Sequence, residues 1–245
     1  MKKRKKVGIL GGTFNPIHIG HLVLAEWARE TAGLDEVLFI PTGHPYMKYG
    51  AASQDGDSLR RAAALSMPTA ADRYHMVELA VKTRSGFLGC DIETSRPGFT
   101  YTYETLDLLR QGHPDCDFYF IMGADCLFTI ETWKEPERIF RACTVISAVR
   151  GRTPTAEVEQ KRRYLERLFA GKILLIPFLS IEISSTDIRE RVREGKSIRY
   201  LVPDPVIGFL EKRGFYRETE AADSGRGLPA AQLTAAAEES CRQSG

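Results

Sequence analysis

Two histidines and several small residues follow the first apolar run of the chain. Residues 7–10 are apolar, and residues 11–21 after them read GGTFNPIHIGH. The spacing of Leu24, Trp27 and Ala28 then predicts a helix. Glycines let a backbone approach a ligand closely, and the free N–H groups at a helix start attract phosphate. The segment is therefore typical of phosphate chemistry, whereas a tight turn with two structural histidines is the plain alternative.

A second polar cluster lies far along the chain, at residues 183–189, which read ISSTDIR. Hydroxyl groups at a helix start can cap the backbone or bind phosphate. Arg189 lies one turn further on and can reach phosphate oxygens with its guanidinium fork. A well-capped helix with a surface arginine is the alternative that the pattern leaves open.

Both clusters resemble signatures of one superfamily. His18, Gly20 and His21 form an H-x-G-H run, and residues 183–189 match the pattern I-S-S-T-x-I-R. The two resemble the paired motifs of the nucleotidyltransferase superfamily, and the chain is closest to the bacterial nicotinate-nucleotide adenylyltransferases. The resemblance covers residues 7–216. Many members carry Asp where this chain has Asn15, a change that removes a charge and keeps a turn-forming side chain.

The resemblance implies a specific reaction. The 5′-phosphate oxygen of nicotinate mononucleotide attacks the α-phosphorus of ATP in line, and the products are the dinucleotide and pyrophosphate. No covalent enzyme intermediate is implied. Transfer of this kind needs positioning and charge stabilisation, which histidine, lysine and arginine supply. Mg²⁺ is expected to be carried with ATP and to bridge its phosphates, because no acidic cage for a metal is apparent.

The same resemblance assigns roles to individual residues. The residues expected to act in catalysis are His18, His21, Lys48 and Arg189. The residues expected to bind ATP are Gly11, Gly12, Thr13, Phe14, Gly20, Gly123, Asp125, Ile183, Ser184, Ser185 and Thr186. The residues expected to bind the mononucleotide are Tyr101, Thr102 and Trp133, the last by stacking on the pyridine ring.

Several of these assignments have plain structural alternatives. Members often carry histidine just before the lysine that corresponds to Lys48, whereas this chain has Met47. Lys48 is otherwise an exposed loop lysine. Trp133 is otherwise a core residue, and Asp125 is otherwise a helix cap.

Composition bounds the class of protein. The chain has 245 residues, of which 43% are hydrophobic, and a net charge of +2 gives no electrostatic case for nucleic acid. The basic run at residues 2–6 is interpreted as a solvated edge before a buried strand. No two of the five cysteines have C-x-x-C spacing, so a zinc site is not expected. The sequence shows neither a run of eighteen apolar residues nor a signal-peptide pattern, so a cytoplasmic location is expected.

Alternating strand and helix patterns predict an α/β fold with a doubly wound parallel sheet. The resemblance makes it a Rossmann-like nucleotidyltransferase fold, with residues 1–216 as a single domain that ends in a small helical part. Residues 217–245 are expected to be a poorly ordered tail. Pro177 is expected to end the last strand. The expected strands are 7–10, 36–40, 87–92, 117–122, 144–149 and 172–176.

The expected partners are ATP and nicotinate mononucleotide, with no nucleic acid and no membrane, and a homo-oligomer is left open. Three alternatives remain at this stage. The first is the same transfer to nicotinamide mononucleotide, and the second is nucleotidyl transfer to another phosphate such as phosphopantetheine. The third is a sensor that binds ATP without turning it over. The roles of residues 50–68 and of the tail are not readable from the sequence.

Overall fold

Six strands form one parallel sheet in a computed structural model that describes residues 3–43, 66–151, 154–178 and 181–217. Lys48, most of the 50–68 segment and nearly all of the proposed tail lie outside the described residues. The strands are β1 (Lys5–Gly12), β2 (Glu36–Pro41), β3 (Phe87–Gly89), β4 (Cys116–Gly123), β5 (Thr144–Arg150) and β6 (Ile173–Phe178).

The described part of the chain also contains eight α-helices and one 3₁₀ turn, the last two helices lying after β6. The helices are α1 (Ile19–Ala32), α2 (Ala70–Val81), α3 (Thr102–Gly112), α4 (Ala124–Leu127), α5 (Pro136–Ala142), α6 (Ala156–Phe169), α7 (Ser185–Arg193) and α8 (Asp204–Arg213). The 3₁₀ turn is Ile130–Thr132. None of these helices is long and apolar enough to cross a membrane.

The spatial order of the strands is β3-β2-β1-β4-β5-β6, and every neighbouring pair is parallel. The chain therefore winds outward from β1 in one direction and from β4 in the other. The doubly wound α/β prediction is confirmed. A sheet of this order has its switch point between β1 and β4, and ligands bind beyond the carboxyl ends of the strands at that point.

Side chains from both faces of the sheet are buried in separate clusters. Along β1, Leu10 packs in the cluster that includes residues of α1, α2 and α8. Val7 and Ile9 pack in the opposite cluster, with residues of α3, α5 and α6. Alternation along a strand sends successive side chains to opposite faces, so β1 is covered on both sides. Because both faces of β1 are buried, the position of the glycine-rich segment at its carboxyl end is fixed.

The expected ends of β3 and β6 were wrong, and β1 also extends two residues beyond its expected range at each end, while β2 includes Pro41. β3 ends at Gly89 rather than at residue 92, because the chain turns there and Ser95 N–H donates to the carbonyl of Asp91 at 2.9 Å. β6 continues through Pro177, which pairs with Val149. A proline lacks the N–H of a central strand, but β6 is the edge strand of this sheet and tolerates it.

Gly43, after β2, tests the close contact between two loops at the carboxyl ends of the strands. A Cβ at this position would lie 2.4 Å from the carbonyl oxygen of Glu93, which is a backbone atom and cannot rotate away. We expect Gly43→Ala to lower the free energy of unfolding by about 1–3 kcal/mol, measured by urea denaturation.

Gly208 in α8 is the matched control, because a Cβ there would meet no heavy atom within 4 Å. Gly208→Ala should raise the free energy of unfolding by roughly 0.5–1 kcal/mol, since alanine loses less entropy in a helix. Equal stability of the Gly43→Ala variant and the parent chain would show that this close approach does not constrain the loop.

Candidate active site

The start of α1 brings the two histidines together. His18 is the N-cap residue, and its backbone N–H donates to Nδ1 of His21 at 3.2 Å. The two ring centroids lie 3.7 Å apart. Gly20 leaves room for this arrangement, because a Cβ there would lie 3.1 Å from ring atoms of His18. Since Nδ1 of His21 accepts a hydrogen bond, the neutral ring carries its proton on Nε2 and can donate from that atom.

Both imidazoles are kept neutral by their surroundings. Burial lowers the pKa of His18 to about 4. Burial, followed by repulsion from His18, lowers the pKa of His21 to about 3. The Phe14 and His21 rings meet nearly at right angles, with their centroids 5.0 Å apart, and Phe14 contributes an apolar wall. At neutral pH, His21 is thus a hydrogen-bond donor without a formal charge.

The start of α7 is bonded directly to the loop that precedes α1. The hydroxyl of Ser185 donates to the carbonyl of Pro16 at 2.9 Å. Nη1 of Arg189 donates to the carbonyl of Asn15 at 2.9 Å, and its Nη2 donates to the Thr186 hydroxyl at 3.2 Å. The two helix starts, some 170 residues apart in sequence, therefore lie side by side. The Arg189 fork retains further N–H groups for a ligand.

Tyr216 and the segment before α8 hold the same loop in place. The Tyr216 hydroxyl donates to Oδ1 of Asn15 at 2.6 Å, and Ile19 N–H donates to the carbonyl of Leu201 at 2.9 Å. Burial raises the pKa of Tyr216, so its hydroxyl stays a donor. The oxygen of Asn15 serves here as an acceptor, which is the role that an Asp oxygen would also fill.

Arg73 is a structural residue that the sequence analysis missed. It lies on the buried face of α2 and is 5% exposed. Its guanidinium donates to the carbonyls of Thr13 and Gly43, each at 2.8 Å. Arg73 thereby joins the loops that leave β1 and β2. The signal was present in the sequence, because Arg73 shares a helical stripe with Met76, Val77 and Ala80 and a buried arginine needs partners.

A cavity of about 430 Å³ opens beyond the carboxyl ends of β1, β2 and β4. Its walls come from the glycine-rich turn after β1, the end of β2, the start of α3 and the segment around Trp133. The lining residues are Ile9, Gly11, Gly12, Thr13, Ile40, Thr42, Glu93, Thr100, Tyr101, Thr102, Thr105, Leu106, Phe120, Cys126, Thr132, Trp133 and Lys134. This is the place that the strand order singles out for a ligand.

A buried carboxylate organises the α3 side of the cavity. Glu93, which the sequence analysis also missed, accepts hydrogen bonds from the hydroxyls of Thr100 and Thr105, each at 2.8 Å. Burial raises the pKa of Glu93, and these hydroxyl bonds oppose that rise. The bonds fix the turn that leads into α3, whose N-cap is Tyr101. The free backbone N–H groups at this helix start are therefore held in a fixed place.

Aromatic side chains form the opposite wall. Trp133 is half-buried and meets Phe120 edge to face at a centroid distance of 6.1 Å. Nζ of Lys134, the next residue, lies 4.3 Å from the centroid of the Tyr101 ring. A flat indole beside the cavity suits an aromatic ligand ring.

The structure brings most of the predicted site residues to one edge of the sheet. Gly11, Gly12, Thr13, Tyr101, Thr102 and Trp133 line the cavity, whereas Phe14, His18, Gly20, His21, Ile183, Ser184, Ser185, Thr186 and Arg189 lie in or beside the paired helix starts. Gly123 is the N-cap of the short α4. Asp125 is exposed within α4 and does not line the cavity. No cluster of His, Cys, Asp or Glu suited to a metal ion occurs in the described segments.

The sequence of this chain is similar to those of known proteins over most of its length. The model of the family "Cytidylyltransferase-like" matches residues 9–191. A probable nicotinate-nucleotide adenylyltransferase of Desulfitobacterium hafniense strain Y51 is 44% identical over 215 residues, which cover 87% of this chain and 96% of that protein. A probable nicotinate-nucleotide adenylyltransferase of Clostridium botulinum strain Eklund 17B is 37% identical, over 87% of this chain and 99% of the relative.

Solved structures share the fold. The nicotinic acid mononucleotide adenylyltransferase of Plasmodium falciparum, complexed with APC, superposes with a TM-score of 0.65 at 21% identity, over 86% of this chain and 97% of the other. The same enzyme complexed with NaAD gives a TM-score of 0.64. The match to the family model and the identity with the two bacterial relatives show that this chain belongs to the cytidylyltransferase-like superfamily and, within it, to the nicotinate-nucleotide adenylyltransferase family.

Proposed function

We propose that this chain transfers the adenylyl group of ATP to nicotinate mononucleotide, in the synthesis of NAD. The oxygen of the mononucleotide 5′-phosphate attacks the α-phosphorus of ATP. The bond from that phosphorus to the bridging oxygen of the β-phosphate breaks, and pyrophosphate leaves with its electrons. The products are nicotinate adenine dinucleotide and pyrophosphate.

The observation that carries the proposal is the pairing of the two helix starts beside the cavity. Ser185 and Arg189 bond to carbonyls of the loop that leads into His18 and His21. Two sets of backbone N–H groups, with the positive ends of two helix dipoles, are thus available to one polyanion. A triphosphate is long enough to contact both sets, whereas a single phosphate needs only one.

The residues at this pair can stabilise charge on the triphosphate without a covalent step. Nε2–H of His21 donates to a phosphate oxygen next to the breaking bond. Arg189, already fixed by its bond to Asn15, holds the leaving pyrophosphate. The Ser185 hydroxyl is occupied by Pro16, so Ser185 contributes its backbone N–H instead. Lys48, which lies outside the described residues, remains a proposed phosphate contact.

The cavity provides the site for the mononucleotide. The indole of Trp133 in its lining suits a pyridine ring, and N–H groups near Tyr101 and Thr102 suit the ring substituent. Gly123 and Asp125 are proposed to contact the ribose or adenine of ATP. His18, His21, Ser185, Thr186 and Arg189 present donors rather than carboxylates, which suits phosphate oxygens. We therefore propose that Mg²⁺ arrives bound to ATP.

The relatives favour the acid substrate over its amide, since both are nicotinate-nucleotide enzymes by name. The alternative function is a sensor that binds ATP without turning it over. Such a protein would release no pyrophosphate in the assay below. The cytoplasmic location, the absence of nucleic-acid and membrane partners, a homo-oligomeric state and the division into residues 1–216 and 217–245 remain proposals.

His21 provides the direct test of the proposed chemistry. We expect His21→Ala to lower kcat for pyrophosphate release, with ATP, Mg²⁺ and nicotinate mononucleotide, by about 10²–10³-fold, because one donor to the developing charge is lost. Circular dichroism should show an unchanged fold. His113→Ala is the control, since His113 is exposed at the C-terminal end of α3. A His21→Ala variant as active as the His113→Ala variant would rule out the proposed role.

The lowered pKa values of the two histidines predict the pH dependence of the rate. A group whose folded pKa lies near 3 or 4 stays neutral until the pH falls close to that value. The pH profile of kcat/KM should therefore lack a histidine inflection near the ordinary value of about 6.5. Nitrogen NMR at pH 5.5 should find the His21 ring neutral, with its proton on Nε2. A positively charged ring at that pH would contradict the account.

A further inference from the structure

The described residues that line the proposed mononucleotide cavity include one cationic and one acidic side chain. Of those residues, Glu93 and Lys134 have charged side chains. The Glu93 carboxylate is buried in the wall and accepts two hydroxyl bonds, from Thr100 and Thr105. Lys134 is exposed at the opening. The charge that an incoming ligand meets at the opening is therefore that of the Lys134 ammonium.

The ammonium is held at the start of α3. Nζ of Lys134 lies 4.3 Å from the centroid of the Tyr101 ring, a cation–π contact. Tyr101 is the N-cap of α3, so the ring that holds the ammonium belongs to the start of that helix, and Lys134, Tyr101 and Thr102 line the same cavity. Lys134 also directly follows Trp133, which lines the same cavity. A pyridine ring lying against the indole would present its substituent toward the Lys134 ammonium and the positive N-terminal end of α3.

We propose that Lys134 is a specificity-determining residue that makes this site prefer a pyridine carboxylate to a pyridine carboxamide. The inference rests on the proposed function and adds a physical basis for its choice of substrate. Acid and amide have nearly the same shape, and backbone N–H groups can bond to an oxygen of either. The acid carries one negative charge that the amide lacks. A fixed ammonium attracts that charge, whereas a neutral N–H donor distinguishes the acid from the amide only weakly.

Lys134 differs from Arg138, a neighbouring cation that also lies against a tyrosine ring. Arg138 makes the same kind of contact, with its guanidinium 4.3 Å from the centroid of Tyr103. However, Arg138 forms an ion pair with Asp107 and does not line the cavity. Among the described residues, no carboxylate forms an ion pair with Lys134. Within the described part of the chain, an ion pair thus neutralises the charge of Arg138 and not that of Lys134.

The test compares kcat/KM for nicotinate mononucleotide with kcat/KM for nicotinamide mononucleotide. We expect Lys134→Gln to lower the ratio of acid to amide by about tenfold, mainly by raising KM for the acid. Lys134→Arg keeps the charge and should keep the ratio within about twofold. Arg138→Gln is the matched control and should leave the ratio unchanged. Raising the salt concentration should lower the ratio of the parent chain and not that of Lys134→Gln.

The outcomes separate this inference from the function on which it rests. An active parent chain whose ratio is unaffected by Lys134→Gln and by salt would overturn the role of Lys134 and leave the function standing. Equal losses for both substrates in Lys134→Gln would also overturn it, because they indicate a structural role. A parent chain that releases no pyrophosphate with either mononucleotide would overturn the proposed function itself.

Discussion

The site depends on the contact between two helix starts that are remote in sequence. Arg189 and Ser185 hold the carbonyls of Asn15 and Pro16, and the loop that contains these carbonyls leads directly into His18. Without this contact, each helix would present its N–H groups to solvent separately. With it, two positive helix ends lie at one edge of the sheet, an arrangement that suits a polyanion. The sheet order makes the meeting possible, since β1 occupies the switch point.

Burial determines what kind of catalyst this arrangement can be. The His18 and His21 rings lie against each other, the His21 ring also lies against Phe14, and the cost of charging the two imidazoles there keeps both neutral. Neutral donors that are already oriented need no reorganisation as charge develops on a phosphate. The positive charge comes instead from Arg189, whose guanidinium is fixed by Asn15 and Thr186. In the proposed reaction, the oriented neutral donors and the positive charge thus come from different residues.

The sequence predicted the parts of this site whose signals are local. Apolar runs, turn glycines and the hydroxyl cap of Ser184 depend on neighbouring residues, so the parallel sheet and the helix starts could be predicted from the sequence. Arg73 and Tyr216 were missed because their roles depend on partners far away in sequence. Glu93 was missed for another reason: its partners Thr100 and Thr105 are near it in sequence, but an irregular turn rather than a regular spacing brings them together. Arg73 reaches a carbonyl 60 residues away, and Tyr216 bonds to Asn15 across 201 residues. Even the strand through Pro177 needed the sheet order, since the edge position that tolerates a proline is a property of the whole fold.

The central claim is that one triphosphate is held by both helix starts at once. The most direct measurement is a crystal structure of this chain with Mg²⁺ and a non-hydrolysable ATP analogue. The account predicts phosphate oxygens within about 3 Å of Nε2 of His21 and, on the same molecule, within about 3 Å of the Arg189 guanidinium or the first N–H groups of α7. A triphosphate that contacts one helix start alone, or that lies away from both, would contradict it.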